Sequence, residues 1–266
     1  MDLPLLTILL LGVIGLFAGA LGGALGAGGS VIMIPAMAIL VGKEHGGSQH
    51  LYQAGAMVVN IAVAVPAALK HRAKGRLRMD VVRWMMPVAL VAIVVGVLVS
   101  NQFRGADLRR IFGVFLAVMM VSEGIALVGD VRGRHEEEKR NERVTPARAG
   151  LVGSVMGLSA GLLGIGGGAL AVPVARRVMG IALVEAIAAS SLVMVATSSV
   201  GAALKVGTLG EHGIVWWRAF VLAAILAPGG VVGARLGAGL AHAAPRWALR
   251  ALLVVVLGVT VWGMWR

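Results

Sequence analysis

Gly22-Gly23-Ala24-Leu25-Gly26-Ala27-Gly28-Gly29-Ser30 decides how this chain folds. The stretch lies inside an apolar segment covering residues 4–41. As one straight helix that segment would be about 57 Å long, at about 1.5 Å per residue. The hydrocarbon core of a bilayer is only about 30 Å thick. Glycine inside a helix costs about 1 kcal/mol relative to alanine. The cluster at Gly26–Ser30 is therefore where the segment must break.

The block returns at Gly161-Leu162-Leu163-Gly164-Ile165-Gly166-Gly167-Gly168, inside a second long apolar segment, 147–180. Gly15, Gly19, Gly23, Gly26, Gly28, Gly29 and Pro35 each recur 138 positions later. The chain thus reads as two related halves, 1–129 and 149–266, joined by a hydrophilic linker, 130–148. Each half opens with a glycine-broken helix. Three ordinary spans follow it, at 52–70, 84–100 and 108–128 in the first half and at 186–204, 214–234 and 247–265 in the second. The expected fold is an all-α integral membrane protein of two homologous four-span halves. Paired, glycine-interrupted segments in two halves point to the binding site of a membrane transporter.

Composition supports the membrane reading. Hydrophobic residues make up 59% of the chain and charged residues 14%, and the mean hydropathy is +0.92. There is no cysteine, hence no disulfide and no thiolate metal site. No cofactor is expected, because the six histidines form no ligand pattern and no P-loop with Lys-Ser/Thr is present. The N-terminus has no basic stretch before its apolar run, so it reads as a retained first helix. A net charge of +12 would suggest nucleic acid in a soluble protein. Here it reflects basic loops on the cytoplasmic side.

Those loops set the orientation. Lys70, Arg72, Lys74, Arg76, Arg78 and Arg83 form one basic loop, and the linker forms another. If each broken segment enters the membrane and returns, Arg176, Arg177, Arg235, Arg246 and Arg250 join them on the same side. That larger share of the 24 basic residues favours inverted repeats, with both termini outside and the linker inside. Parallel repeats, in which each broken segment crosses once, place fewer basic residues inside.

Chemistry is expected at the breaks. A short helix starting after Gly29 or Gly167 aims exposed N–H groups and a positive dipole end into the protein, an anion site that needs no lysine. Gly26, Gly28, Gly29 and Ser30, with Gly164, Gly166, Gly167 and Gly168, are the candidate binding residues. The upstream stripes Gly15-x-x-x-Gly19-x-x-x-Gly23 and Gly153-x-x-x-Gly157-x-x-x-Gly161 suit tight helix crossing instead. Polar side chains on the helix after each break add Asn60, seven residues beyond Gln53, and Ser190, Ser191 and Thr197. Lys70 and Lys205 close equivalent Ala-Ala-Leu-Lys motifs and are candidate vestibule cations. Glu123 and Glu185 are candidate proton relays, as carboxylates within or beside spans. The expected partners are a small anion, the lipid bilayer, protons as coupling ion and a second copy of the chain; nucleic acid is not among them.

The two Gly-x-Gly-Gly…Pro blocks, the small and Ser-rich helix after each, and the Lys70-His71…Gly75 loop resemble the TauE/SafE-type sulfite exporter family. The resemblance covers nearly the whole chain, Leu5 to about Trp265. It implies a bacterial inner-membrane carrier of small sulfur-containing anions, sulfite or an organosulfonate, working as an exporter. A passive anion channel and a carrier of small carboxylates are the competing readings. Where the family often has Gly-Thr-Ser, the first half has Gly55-Ala56-Met57, whereas the second half keeps Ala189-Ser190-Ser191. The second-half hydroxyls are therefore the stronger ligand candidates.

Overall fold

A computed structural model of the chain describes residues 3–25, 28–42, 48–131, 142–243 and 246–265. Gly26, most of the linker and His45 lie outside the described residues. Among the described residues the chain is all-helical: α1 (Leu5–Leu25), α2 (Ser30–Leu40), α3 (Gln49–Ala73), α4 (Met79–Asn101), α5 (Gly105–Val131), α6 (Pro146–Leu163), α7 (Gly168–Met179), α8 (Leu183–Thr208), α9 (Trp217–Ala243) and α10 (Arg246–Trp265). A 3-10 turn, Leu209–His212, extends α8. Seven helices, α1, α3–α6, α8 and α9, are long and apolar enough to cross a bilayer. The eighth expected span, α10, has a shorter apolar part, Arg250–Trp265. Leu5, Leu9, Val13 and Phe17 of α1, and Val114, Val118, Val121 and Ile125 of α5, form exposed apolar stripes at helical period. Such stripes need lipid to cover them. Exposed tryptophans at or near helix ends, Trp84, Trp216, Trp247 and Trp265, sit where an amphipathic ring meets the headgroups.

α3 and α8 are the most buried of the spans. α3 begins at Gln49 because Ser48 caps it, accepting from the Leu51 N–H. Capping offsets the polar first turn. Thr145 does the same for α6 through Arg148 N–H.

The glycine stripes set the helix pairing. Gly15, Gly19 and Gly23 of α1 lie against the backbone of Leu226, Gly230 and Ala234 of α9, in the same order, so these helices run parallel. α9 answers with Gly229, Gly233 and Gly237 against Gly12, Leu16 and Ala20. Gly153, Gly157 and Gly161 of α6 lie likewise against Met85, Ala89 and Ile93 of α4. At each of these sites an added Cβ would collide with backbone, so only glycine permits the close parallel crossing. Two other pairs run the opposite way. α3 meets α8 antiparallel, with His50 at Lys205, Met57 at Gly201, and Asn60 level with Met194. α5 meets α10 antiparallel, with Arg109 bonded to the Met264 carbonyl and Glu123 facing Arg250.

Each broken segment is a hairpin. Gly167, at the head of α7, packs on Met156 in mid-α6. The Arg148 guanidinium at the foot of α6 donates to the Val178 carbonyl near the end of α7. In the first half, Gly29 packs back on Ala18 of α1. Further along α2, Met33 lies near Gly230, whereas Met37 lies at Gly55, beside Ala219. α2 therefore descends α9 as α1 ascends it. The two arms of each broken segment thus lie side by side, pointing in opposite directions.

Candidate functional site

Both breaks fall where the glycines predict. α1 stops at Leu25 and α2 starts at Ser30; α6 stops at Leu163 and α7 starts at Gly168. The connecting backbone uses the left-handed region: φ is +73° at Gly28, +78° at Gly164, +69° at Gly166 and +78° at Gly167. Residues with a Cβ rarely adopt it. The two turns also touch each other. A Cβ on Gly28 would lie 3.5 Å from the Ile165 carbonyl oxygen and 3.8 Å from Met194 Sδ. On Gly166 it would lie 2.7 Å from Asn60 Nδ2 and 2.9 Å from that same sulfur. Asn60 and Met194 are near the midpoints of α3 and α8, so the breaks meet at the middle depth of those helices.

The polar inventory of this crossing is specific. Helix N-termini leave N–H groups with no intrahelical acceptor. Where α3 and α6 have side-chain caps, neither α2 nor α7 has one. Ser30 is fully buried and its hydroxyl donates to Asn60 Oδ1. Asn60 Nδ2 is left buried without a partner. Gln53, one α3 turn pair earlier, donates to the Leu162 carbonyl at 3.0 Å, and its Oε1 is unpartnered. An added Cβ on Gly164 would reach Gln53 Cβ at 2.8 Å. Two uncapped helix starts and an amide donor thus converge in a buried place of low dielectric. Such donors favour a small anion.

The other candidates divide. Ser190 and Ser191 donate to the Ile187 carbonyl, and Thr197 to the Val193 carbonyl, so these hydroxyl protons are committed to their own helix. Ser198, fully buried on the same helix, has no partner. Lys70 and Lys205 occupy unlike settings. Lys70 is exposed in the last turn of α3. Lys205 is 1% exposed, and its ammonium donates to Asn101 Oδ1 at 3.1 Å and meets His50 Nδ1 at 3.3 Å. Lys205 therefore lines no open vestibule in this conformation, because α3 and the end of α4 close over it. Both candidate relays are ion-paired: Glu123 with Arg250 at 3.7 Å, and Glu185 with Arg78 at 3.6 Å. Glu185 also accepts from the Ala182 N–H and so caps α8. Arg78 gathers Asp80, Glu142 and Glu185 beside the linker. The Asp80 hydrogen bond, ahead of the nearby carboxylate charges, raises its pKa and holds it cationic.

Sequence reasoning missed His50, Asn101, His212 and Met194. The His50 and His212 rings stack, with centroids 3.7 Å apart. They come from residues far apart in sequence, at the ends of two helices, and no spacing rule joins them.

The sequence is similar to known proteins. Residues 11–264 match the family Sulfite exporter TauE/SafE. The chain belongs to that family. With seven apolar helices it is a multi-pass membrane protein. A relative from Magnetospirillum gryphiswaldense, probable membrane transporter protein MamO, is 27% identical over 94% of this chain and 43% of its own length. The MamO of Paramagnetospirillum magneticum is 25% identical over 86% of this chain and 40% of its own. A probable membrane transporter protein of Xylella fastidiosa is 26% identical over 92% of this chain and 90% of its own. The chain thus spans less than half the length of the two MamO proteins and most of the Xylella protein.

Proposed function

We propose that this chain is a secondary transporter of small sulfur-containing anions, sulfite or an organosulfonate, acting as an exporter in a bacterial inner membrane. The anion is held between the two glycine breaks and leaves chemically unchanged. The observation that carries this reading is the meeting of two uncapped helix starts at Gly28–Ser30 and Gly166–Gly168, beside the unpartnered Asn60 Nδ2. Hydrogen bonds to a charged group contribute about 1.5–3 kcal/mol each. Three or four donors on one oxyanion offset much of its dehydration.

The halves are read as inverted repeats. In support, α3 runs antiparallel to α8 and α5 to α10, and both broken segments return. Inverted halves around a midplane site give alternating access by rocking one against the other. Efflux of radiolabelled sulfite from proteoliposomes, compared with methanesulfonate, acetate and chloride, tests the reading. Saturable efflux that prefers the sulfur oxyanions is expected. Efflux that does not saturate, or that favours acetate, would move the protein to a channel or a carboxylate carrier.

A further inference from the structure

The α3–α8 seam carries more unpartnered polar atoms than its packing needs. His50, Gln53, Met57 and Asn60 recur along α3 at helical period, and Met194, Ser198, Gly201 and Lys205 do so along α8. The antiparallel contacts place these stripes face to face. Met194 and Asn60 meet at Gly166, an added Cβ on Gly201 would reach Met57 Sδ at 2.9 Å, and Lys205 meets His50. Gln53 Oε1, Asn60 Nδ2 and Ser198 Oγ are buried on the seam without partners. Buried polar groups are normally satisfied, so unsatisfied ones invite a ligand or water. From Asn60 to His50 is ten residues, about 15 Å along the helix. That is half of a hydrocarbon core of about 30 Å. The seam therefore leads from the crossing to one membrane face.

At that end the chemistry changes from neutral to cationic. His50 Nε2 donates to the Phe103 carbonyl at 3.1 Å, which leaves Nδ1 as an acceptor for the Lys205 ammonium. Asn101 Oδ1 is the ammonium's second neutral acceptor. No ion pair joins Lys205 to a carboxylate among the described residues. Glu211, on the turn after α8, is exposed. The other charged residues described at this end are Arg104, Asp107, Arg109 and Arg110 at the start of α5 and Arg218 at the start of α9. His212 Nε2 and both polar atoms of Gln49, one residue before His50, are buried and unpartnered. Buried charges in proteins are normally paired. Lys205 has only neutral acceptors, with donors unused nearby.

We propose that the anion travels between the crossing and this membrane face along the α3–α8 seam, and that Lys205, with His50 and His212, is a second anion-binding station at its end. The station takes a small oxyanion, whose charge pairs with the ammonium while His212 and Gln49 supply further donors. The proposal rests on the reading of the glycine crossing as an anion site, but its test does not. The full chain is labelled with 15N-histidine, placed in lipid nanodiscs and titrated with sodium methanesulfonate against sodium chloride at fixed pH and ionic strength. The His50 and His212 ring signals are identified by their loss in His50→Gln and His212→Gln. Both are expected to move saturably with methanesulfonate and not with chloride. Asn60→Leu, which removes the donor at the crossing, is expected to keep that response, and Lys205→Met to raise its half-saturation at least tenfold. Signals that stay still in the unmodified protein would overturn the station, as would an unchanged half-saturation in Lys205→Met. If Lys205→Met does not fold, the contrast between methanesulfonate and chloride in the unmodified protein decides. Failure of the crossing has a separate signature: Asn60→Leu then transports normally, whatever the histidines do.

Discussion

Lys70 and Lys205 close the same Ala-Ala-Leu-Lys motif in the two halves, yet one is exposed and the other is 1% exposed. Around Lys70 the last turn of α3 is basic, with His71 and Arg72. Around Lys205 two helices close in, through His50 and Asn101. A repeat in sequence fixes backbone shape, but it does not fix environment. In the inverted reading these lysines mark opposite faces, one with its lysine covered and the other with its lysine exposed. The breaks differ in the same way. Gly28 has room for a Cβ, with its nearest neighbour at 3.5 Å, whereas its counterpart Gly166 has none, because Asn60 Nδ2 and Met194 Sδ stand at 2.7 and 2.9 Å, and Gly167 beside it meets the Met156 backbone.

The largest expected effect tests which faces the lysines mark. Lys74→Cys and Gly210→Cys sit just beyond α3 and α8, both exposed. In intact cells a membrane-impermeant maleimide is expected to label one and not the other. Labelling of both, or of neither until lysis, would replace inverted halves by parallel ones.

Next in size is the contrast between the breaks. Gly167→Leu forces a side chain into a left-handed backbone and into Met156. Those two penalties together cost about 3 kcal/mol or more. It is expected to lower the thermal midpoint strongly and to reduce the amount of protein in the membrane. Gly28→Leu carries mainly the left-handed strain, about 1–3 kcal/mol. It is expected to reach the membrane and lose sulfite efflux. Equal stability of the two variants would mean that the Met156 contact adds nothing to the cost at Gly167. Normal efflux by Gly28→Leu would return its glycine to a packing role.

The lysines themselves give a smaller contrast. Lys205→Gln removes a buried donor from His50 and Asn101. Leaving buried partners unsatisfied costs about 1–3 kcal/mol. It is expected to lower both stability and transport at any salt concentration. Lys70→Gln removes an exposed charge that acts by steering. It is expected to slow transport only at low salt, since such effects fade beyond a Debye length of about 8 Å at 0.15 M. A salt-dependent defect in Lys205→Gln would show that this lysine reaches solvent during transport.

Much of this was legible in the sequence. Segment length against bilayer thickness placed the breaks, and the recurrence of seven Gly and Pro positions made their equivalence plain. The upstream glycine stripes read correctly as packing, because small residues four apart have few other uses inside a membrane. What escaped was everything made by contacts between distant helices. Glu123 and Glu185 read as carboxylates within or beside spans; Arg250 and Arg78 become their partners only when α10 meets α5 and the α3–α4 loop meets α8. His50 read as a helix-end residue until folding stacked it on His212 and set it against Lys205. The hydroxyl stripe on α8 was seen, but periodicity alone could not tell a proton donated to the same helix from one left free.

That last distinction gives the smallest and sharpest test. Ser190 was expected to contribute as a ligand, which would make Ser190→Ala a loss of about 1.5–3 kcal/mol in anion binding. Its hydroxyl instead donates to Ile187 at 3.1 Å, a bond of a kind that slightly destabilises helices. Removing it leaves a carbonyl that still serves its own helix, so Ser190→Ala is expected to change binding by less than about 0.5 kcal/mol, the range of a neutral substitution. Asn60 is the counterpart in the first half, with Nδ2 unpartnered and beside Gly166. Asn60→Leu keeps the branched shape and removes the donor, so the full 1.5–3 kcal/mol, roughly 10- to 150-fold in Kd, is expected there instead. Isothermal titration with sulfite on both purified variants measures the difference directly. If Ser190→Ala proves the more damaging, the anion sits against α8 rather than in the crossing, and the hydroxyl must turn from Ile187 toward it on binding.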